Sequence, residues 1–159
     1  MKFSEIQYAR PKVERVKEQL KAQIARLQSA DSTCQQQIAA ILEVNRVRKN
    51  YQSQQTLARI RHSINSLDPI YVEEQKFFDQ CDPQIQDLVV QFYRSIIASP
   101  FSRELKARCG SEFWATAGSS SKTSSESVVP LLEQENGLVS EYQQLMAAIK
   151  IDFQGQSYN

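Results

Sequence analysis

The residues that could support catalysis are few, and their spacing assembles no recognisable active site. His62 is the single imidazole available as an acid, a base or a metal ligand. Cys34, Cys81 and Cys109 are widely spaced without a C-x-x-C pair, which is typical of reduced, partly buried thiols. The chain has no His-Glu-x-x-His, no G-x-S-x-G and no glycine-rich phosphate loop. The sequence therefore predicts no catalytic, cofactor-binding or metal-binding residue in this chain.

The most informative polar pair is Arg61-His62, which follows Leu57 and Ile60 near the end of a long predicted helix. Because neighbouring residues on a helix point in different directions, one of the two should approach the core. Two interpretations remain open. His62 could be hydrogen-bonded between helices while Arg61 pairs with a carboxylate, or the pair could supply polar contacts that line a groove.

Length and charge restrict the classes of partner. A chain of 159 residues suits one domain with its own core. The formal net charge of +1 argues against nucleic acid or an anionic membrane as the main partner. No secretory signal and no run of 18 apolar residues occurs, so we expect a cytoplasmic protein. The basic segment 46–61 and the acidic segment 68–87 are most simply two oppositely charged neighbouring helices. The alternative is that the basic face of 46–61 binds a peptide carboxylate or a nucleic acid such as RNA.

The elements that must position these residues are helices. Four glycines in 159 residues are too few for a turn-rich sheet protein. Apolar residues recur at spacings of three and four, which predicts an all-α, antiparallel bundle of about six helices. The expected helix starts are Pro11, Asp31 or Ser32, Asp68-Pro69, Asp82-Pro83, Ser99-Pro100 and the segment that follows Ser125.

Three further local features carry predictions. An extended arm should precede Pro11, with Phe3, Ile6 and Tyr8 as docking points. The serine-rich stretch 118–125 reads as a flexible linker. Pro130 should either displace the start of the last helix or kink it.

The pattern changes at the end of the chain. Residues 149–153 alternate apolar and polar side chains, which indicates a strand, and Gln154-Gly155 reads as a turn. We therefore expect a helical domain over 1–149 and a short, incomplete β-hairpin over 150–159. A sequence that stops within such an element is expected to continue into a further domain.

Six segments, in this order, resemble the N-terminal region of oligoendopeptidase F-type zinc metallopeptidases, relatives of thimet oligopeptidase. The resemblance spans nearly the whole chain. The segments are Met1–Pro11, Leu57-Ala-Arg-Ile-Arg-His-Ser-Ile64 followed by Asp68 and Tyr71, Phe77-Phe-Asp79 with Pro83, Ser99-Pro-Phe-Ser-Arg-Glu-Leu105, Glu135-Asn-Gly-Leu-Val-Ser-Glu-Tyr142 and Ile151-Asp-Phe-Gln-Gly155. Two departures are Pro130 and the serine-rich run, which aligns with helix in the family.

The resemblance implies a larger parent enzyme whose catalytic domain holds zinc through a His-Glu-x-x-His helix and a further Glu, none of which is present here. In that family the N-terminal helices form a wall of the channel around the zinc site and restrict substrates to short peptides. Arg61 and His62 would then face the substrate channel. The implied partners are short peptides and the parent's own catalytic domain, with no nucleic acid and no membrane.

The first hypothesis is thus the non-catalytic helical domain of a cytosolic zinc oligoendopeptidase, inactive alone. The alternative is a free-standing helical protein–protein interaction module without enzymatic activity.

Overall fold

Six α-helices and one two-stranded hairpin make up residues 6–122 and 126–158, which are the residues that this computed structural model describes. Most of the described residues are helical, which confirms the all-α bundle that the sequence predicted. The helices are α1 (Val13–Gln28), α2 (Cys34–Ile64), α3 (Pro69–Ile97), α4 (Ser102–Cys109), α5 (Ser111–Ser120) and α6 (Val129–Ala148), and the strands are β1 (Ile151–Phe153) and β2 (Gln156–Tyr158).

The core lies where α1, α2 and α3 pack together. Each of these helices has an amphipathic stripe whose apolar side chains are removed from water, and each fully buried large side chain contributes roughly 1.5–3 kcal/mol. The buried members include Leu20 and Ile24 from α1, Val44 and Tyr51 from α2, and Phe78, Val89, Phe92 and Ile96 from α3. Helices α4 and α5 close one end through Leu105 and Ala117.

The start of α3 is the one that the sequence predicted, whereas the start of α2 differs from the prediction. Asp68 caps α3 as expected: its Oδ1 accepts from the backbone N–H groups of Ile70 and Tyr71 at 2.9 and 3.2 Å. The cap of α2 is Thr33 and not Asp31 or Ser32, because Gln36 three residues later completes a reciprocal capping box with it.

The prediction of a new helix at Asp82-Pro83 is wrong, because α3 continues through Pro83. A proline inside a helix frees the carbonyl of the residue four positions earlier, here Asp79. The side-chain amide of Asn136 on α6 donates to that carbonyl at 3.3 Å. A hydrogen bond from a neighbouring helix therefore replaces the lost helical bond. Asp82 does not start a helix, so its carboxylate is available for contacts with other helices.

The linker prediction for 118–125 is wrong for its first part, since α5 extends to Ser120, and residues 123–125 lie outside the described residues.

Pro130 sits in the first turn of α6, where its missing N–H costs nothing, so the displaced start is confirmed. In the hairpin, Gln154 (φ 51°) and Gly155 (φ 78°) form the turn, and Ile151 pairs with Tyr158.

None of the helices within residues 6–122 and 126–158 is both long and apolar enough to cross a lipid bilayer.

Candidate functional site

Arg61 and His62 lie about 100° apart around the axis of α2 and contact different groups. The Arg61 guanidinium donates to the backbone carbonyl of Ile6 (Nη2–O 3.3 Å) and lies 5.3 Å from the centre of the Tyr8 ring. Arg61 therefore holds the N-terminal arm against α2 through a hydrogen bond and a cation–π contact. Of the predicted docking points of this arm, Ile6 and Tyr8 are in contact with the helices, and Phe3 lies outside the described residues.

The arm is fixed on its other side by acidic residues of α3. The Tyr8 hydroxyl donates to a Glu74 carboxylate oxygen, and Arg10 forms ion pairs with Glu73 and Glu74 at 2.8 and 2.6 Å. Burial raises the pKa of Glu74, but the hydrogen bonds from Arg10 and Tyr8 outweigh it and hold that pKa below its ordinary value. Among the described residues, the acids of α3 thus form their ion pairs with the arm and not with the basic segment of α2.

His62 lies near Asp79 of α3 and is 2% exposed. Burial lowers its pKa, and the nearby Asp79 carboxylate opposes that shift without cancelling it. The imidazole is therefore neutral at pH 7. Its Nε2 is buried and has no hydrogen-bond partner among the described residues. One residue of the pair therefore lies toward the core, as helix geometry predicted, but His62 Nε2 does not make the hydrogen bond between helices that the first of the two interpretations required.

Asp79 is the polar centre beside His62. Its carboxylate accepts from the Gln75 side-chain amide at 2.8 Å and from the Ser140 hydroxyl at 2.5 Å. Because Gln75 uses its amide nitrogen on Asp79, its Oε1 is left buried without a partner among the described residues. His62 and Gln75, whose unpaired atoms are buried, both contribute to the wall of one cavity of about 300 Å³.

Asp82, one turn further along α3, joins this cavity to a second one. Its carboxylate accepts from the Tyr51 hydroxyl at 2.5 Å and from the Gln55 side-chain amide. Burial raises the pKa of Asp82 above its ordinary value, although both hydrogen bonds act to lower it. A cavity of about 270 Å³ and the cavity at His62 share Gln55, Asp82 and Asn136 in their walls. The two cavities therefore adjoin at these three residues.

We call this feature the α2–α6 groove. Its floor is α3, and its walls are α2 and α6. On α2 the lining residues Arg48, Gln55 and His62 recur every seven positions, which places them on one face of the helix. This seven-residue repeat can be read from the sequence. The sequence does not show that α6 lies across from this face of α2, so the groove itself could not be predicted.

Arg48 lies at the other end of the groove. Its Nη1 donates to the Tyr93 hydroxyl at 2.7 Å, and its Cζ lies 5.5 Å from the centre of that ring. Its Nε is buried without a hydrogen-bond partner among the described residues, where no carboxylate forms an ion pair with it either. The groove therefore presents the Arg48 guanidinium at one end, the Asp79 carboxylate at the other and the Asp82 carboxylate between them.

Residues 3–124 match the family model described as the Peptidase M3 N-terminal domain. The chain belongs to the peptidase M3 family. Its resemblance to oligoendopeptidase F peptidases, stated above from six segments, is confirmed by this match and by solved structures.

Three solved structures are similar to this M3 domain over 99% of its length. They are a protein named as an oligoendopeptidase F (35% identity, TM-score 0.92), PZ peptidase A with an inhibitor (36% identity, TM-score 0.92) and a protein named as an oligoendopeptidase F from Bacillus anthracis (38% identity, TM-score 0.90). The chain spans only 28%, 28% and 29% of those chains. A comparison with curated protein sequences gave no match.

A second surface of this M3 domain is the outer face of α6. Leu131, Leu138, Tyr142 and Leu145 lie on it and are between 59% and 68% exposed. Their spacings of seven, four and three residues form one continuous apolar stripe. On the inner side of α6, by contrast, Ser140 is buried against α3. A helix that exposes its apolar side is typical of an interaction surface.

No group of three or more His, Cys, Asp or Glu side chains able to hold a metal ion occurs within residues 6–122 and 126–158. These residues do not fit a zinc site, so no chemical step through zinc can be derived from them.

Proposed function

We propose that this chain is the non-catalytic N-terminal domain of a zinc oligoendopeptidase that hydrolyses short peptides in the cytoplasm, and that it forms part of the wall of the substrate channel. The membership in the M3 family and the similarity to longer proteins named as oligoendopeptidase F support this function. The domain's own contribution is to enclose the substrate, and the hydrolysis is carried out by a catalytic domain outside this chain.

The observation that carries the proposal is the exposed apolar stripe of α6. Burying a large apolar side chain stabilises by roughly 1.5–3 kcal/mol, so a surface holding Leu138, Tyr142 and Leu145 together favours packing against another domain. The partner we assign to this stripe is the parent's own catalytic domain, since the chain covers less than a third of its relatives.

The channel-wall role of Arg61 and His62 remains a prediction. Their surroundings suggest a direct role for His62 and an indirect one for Arg61. His62 lines the α2–α6 groove and could contact a peptide there directly. Arg61 contacts Ile6 and Tyr8, so it would act on the channel through the position of the arm.

The test is peptide hydrolysis by the protein encoded by the complete gene. An internally quenched peptide should be cleaved, a chelator should abolish cleavage, and added zinc should restore it. The 159-residue chain alone should show no turnover under any of these conditions. Chelator-insensitive turnover by the complete protein, or turnover by the 159-residue chain, would contradict the proposal. A free-standing interaction module would be the conclusion if the gene ended at Asn159.

A further inference from the structure

We propose that Cys34 and Cys109 form a reversible disulfide when the chain meets a hydroperoxide, and that this bond fastens the start of α2 to the end of α4. Cys34 is the first residue of α2, and Cys109 is the last residue of α4. The bond would act as a redox-responsive clip at one end of the helical bundle. The inference concerns this domain itself and does not depend on the proposed function.

The start of α2 packs against α4 and the residues just before it. Gln37, one turn after Cys34, accepts a hydrogen bond from the Ser99 hydroxyl at 2.6 Å. On α4, Leu105 is fully buried and lies four positions before Cys109, on the same face of the helix. Cys34 and Cys109 both pack against the core to which Leu105 belongs. The contact between α2 and α4 therefore carries both thiols.

Three side chains of α4 surround the Cys34 thiol at this contact. Burial and a hydrogen bond to the Glu104 carboxylate raise the pKa of Cys34, Arg108 lowers it, and the Cys109 thiol raises it further. Glu104 and Arg108 are also paired with each other at 3.8 Å. Because electrostatic effects weaken with distance, Cys109 is a close neighbour of Cys34 across the interface.

Both thiols are accessible to a small oxidant. Cys34 and Cys109 are free and only partly buried. Burial also raises the pKa of Cys109, so both groups are protonated thiols at pH 7. Protonated thiols react slowly with mild oxidants. The clip therefore stays open in the reduced chain and closes only on exposure to a strong oxidant such as hydrogen peroxide.

The step balances with a hydroperoxide as the oxidant. One cysteine sulfur, as the thiolate, attacks a peroxide oxygen and breaks the O–O bond, which gives a sulfenic acid and, after protonation, water. The second thiol attacks the sulfenic sulfur, forms the S–S bond and releases another molecule of water. Two thiols and one hydrogen peroxide thus give one disulfide and two waters. A thiol reductant reverses the step by exchange.

Cys81 supplies an internal control. It lies within α3, away from the contact between α2 and α4. Burial raises the pKa of Cys81, and its charged neighbours include Lys17, Asp82 and Glu133. We expect Cys81 to remain a thiol under conditions in which the other two cysteines pair.

The test counts the thiols and locates the bond. The 159-residue chain is treated with hydrogen peroxide at pH 8, and its products are followed by thiol labelling and mass spectrometry. We expect the monomer to lose two of its three thiols together with the mass of two hydrogen atoms. Peptide mapping should show Cys34 joined to Cys109 and Cys81 labelled. A thiol reductant should restore all three thiols.

Matched variants and a stability measurement sharpen the result. Cys81→Ser should still form the bond, whereas Cys34→Ser and Cys109→Ser should each prevent a disulfide within the monomer. The oxidised monomer should unfold at a temperature higher by about 5 °C or more, because the bond restricts the unfolded chain. The assay of the unchanged chain needs no substitution, so it decides the matter even if a serine variant does not fold.

Three outcomes overturn the proposal. Oxidation of Cys34 or Cys109 to sulfinic or sulfonic acid without a disulfide means that the two sulfurs do not meet. A bond that includes Cys81 or joins two chains means that another pair is the reactive one. A lower unfolding temperature of the oxidised monomer means that the bond distorts the fold. None of these outcomes bears on zinc-dependent turnover by the complete protein, so failure here and failure of the proposed function are distinguishable.

Discussion

The side-chain amide of Asn136 donates to the backbone carbonyl of Asp79 at 3.3 Å, and that carbonyl lies four residues before Pro83. The proline that interrupts the bonding of α3 therefore creates the acceptor by which α6 is held. Ser140, one turn further along α6, donates to the carboxylate of the same aspartate. Through these two bonds Asp79 fixes α6 beside α2, and the groove between them exists because of that placement.

The first prediction concerns the coupling between Pro83 and Asn136. Asn136→Ala should lower the free energy of unfolding by about 1 kcal/mol, because the Asp79 carbonyl loses its partner. In a Pro83→Ala background the helix supplies its own N–H to that carbonyl, so the same substitution should cost clearly less. Urea denaturation of the four proteins in a double-mutant cycle measures the difference. Equal costs in both backgrounds would show that Asn136 does not replace the lost bond.

The second prediction concerns Ser140. Ser140→Ala should destabilise the chain by about 1–3 kcal/mol, since it removes a buried, charge-assisted hydrogen bond from the Asp79 carboxylate. Ser63→Ala is a suitable control: Ser63 is exposed, and its hydroxyl donates only to the carbonyl of Arg59 on its own helix. The control should change stability by less than about 0.5 kcal/mol. Similar effects of the two substitutions in thermal and urea unfolding would argue against the role assigned to Asp79.

The third prediction concerns pH and His62. Because burial lowers the pKa of His62 from 6.5 in the folded chain, the unfolded chain binds a proton at a higher pH than the folded one. The stability associated with His62 is therefore complete above about pH 6.5 and is lost as the pH falls below it. Unfolding should be measured at pH 7.5 and 5.5 for the chain and for His62→Gln. The variant should lose less stability over that interval, and an equal loss would contradict the burial of a neutral imidazole.

The fourth prediction concerns Arg61 and the arm. Arg61→Ala should speed amide exchange at Ala9, whose N–H donates to Gln54 Oε1 at 2.9 Å, because the arm loses its bond at Ile6 and its contact at Tyr8. The expected cost in stability is about 1 kcal/mol. Arg59→Ala, on the same helix but away from the arm contacts, serves as the control. Unchanged amide exchange at Ala9 in Arg61→Ala would show that the arm is held without this residue. If the same variant of the complete enzyme then lost peptide turnover, direct contact between Arg61 and the substrate would be favoured.

Local chemistry made much of the fold predictable. The Asp68-Pro69 start of α3 and the turn at Gln154-Gly155 each depend on a few adjacent residues, and both are found in the structure. The continuation of α3 through Pro83 was not predictable, because its replacement bond comes from Asn136, more than 50 residues later.

The candidate site was likewise predictable only where local sequence determines it. The sequence singled out Arg61-His62 and placed one of the two toward the core. It did not indicate Arg48, Gln75 or Asp79, because their importance depends on which helices are neighbours. The charged segments of α2 and α3 were expected to attract each other, yet the acids of α3 form their ion pairs with Arg10 of the arm. Such partners are set by tertiary packing.

The proposed function depends above all on the packing of the exposed α6 stripe against a catalytic domain. The double substitution Leu138→Glu with Leu145→Glu in the complete protein tests this packing, with Glu141→Gln on the exposed surface of the same helix as the control. The double variant should lose zinc-dependent peptide turnover at least tenfold, and the control should retain it. The same double change should leave the thermal unfolding of the 159-residue chain within a few degrees. Full turnover by the double variant would contradict this packing.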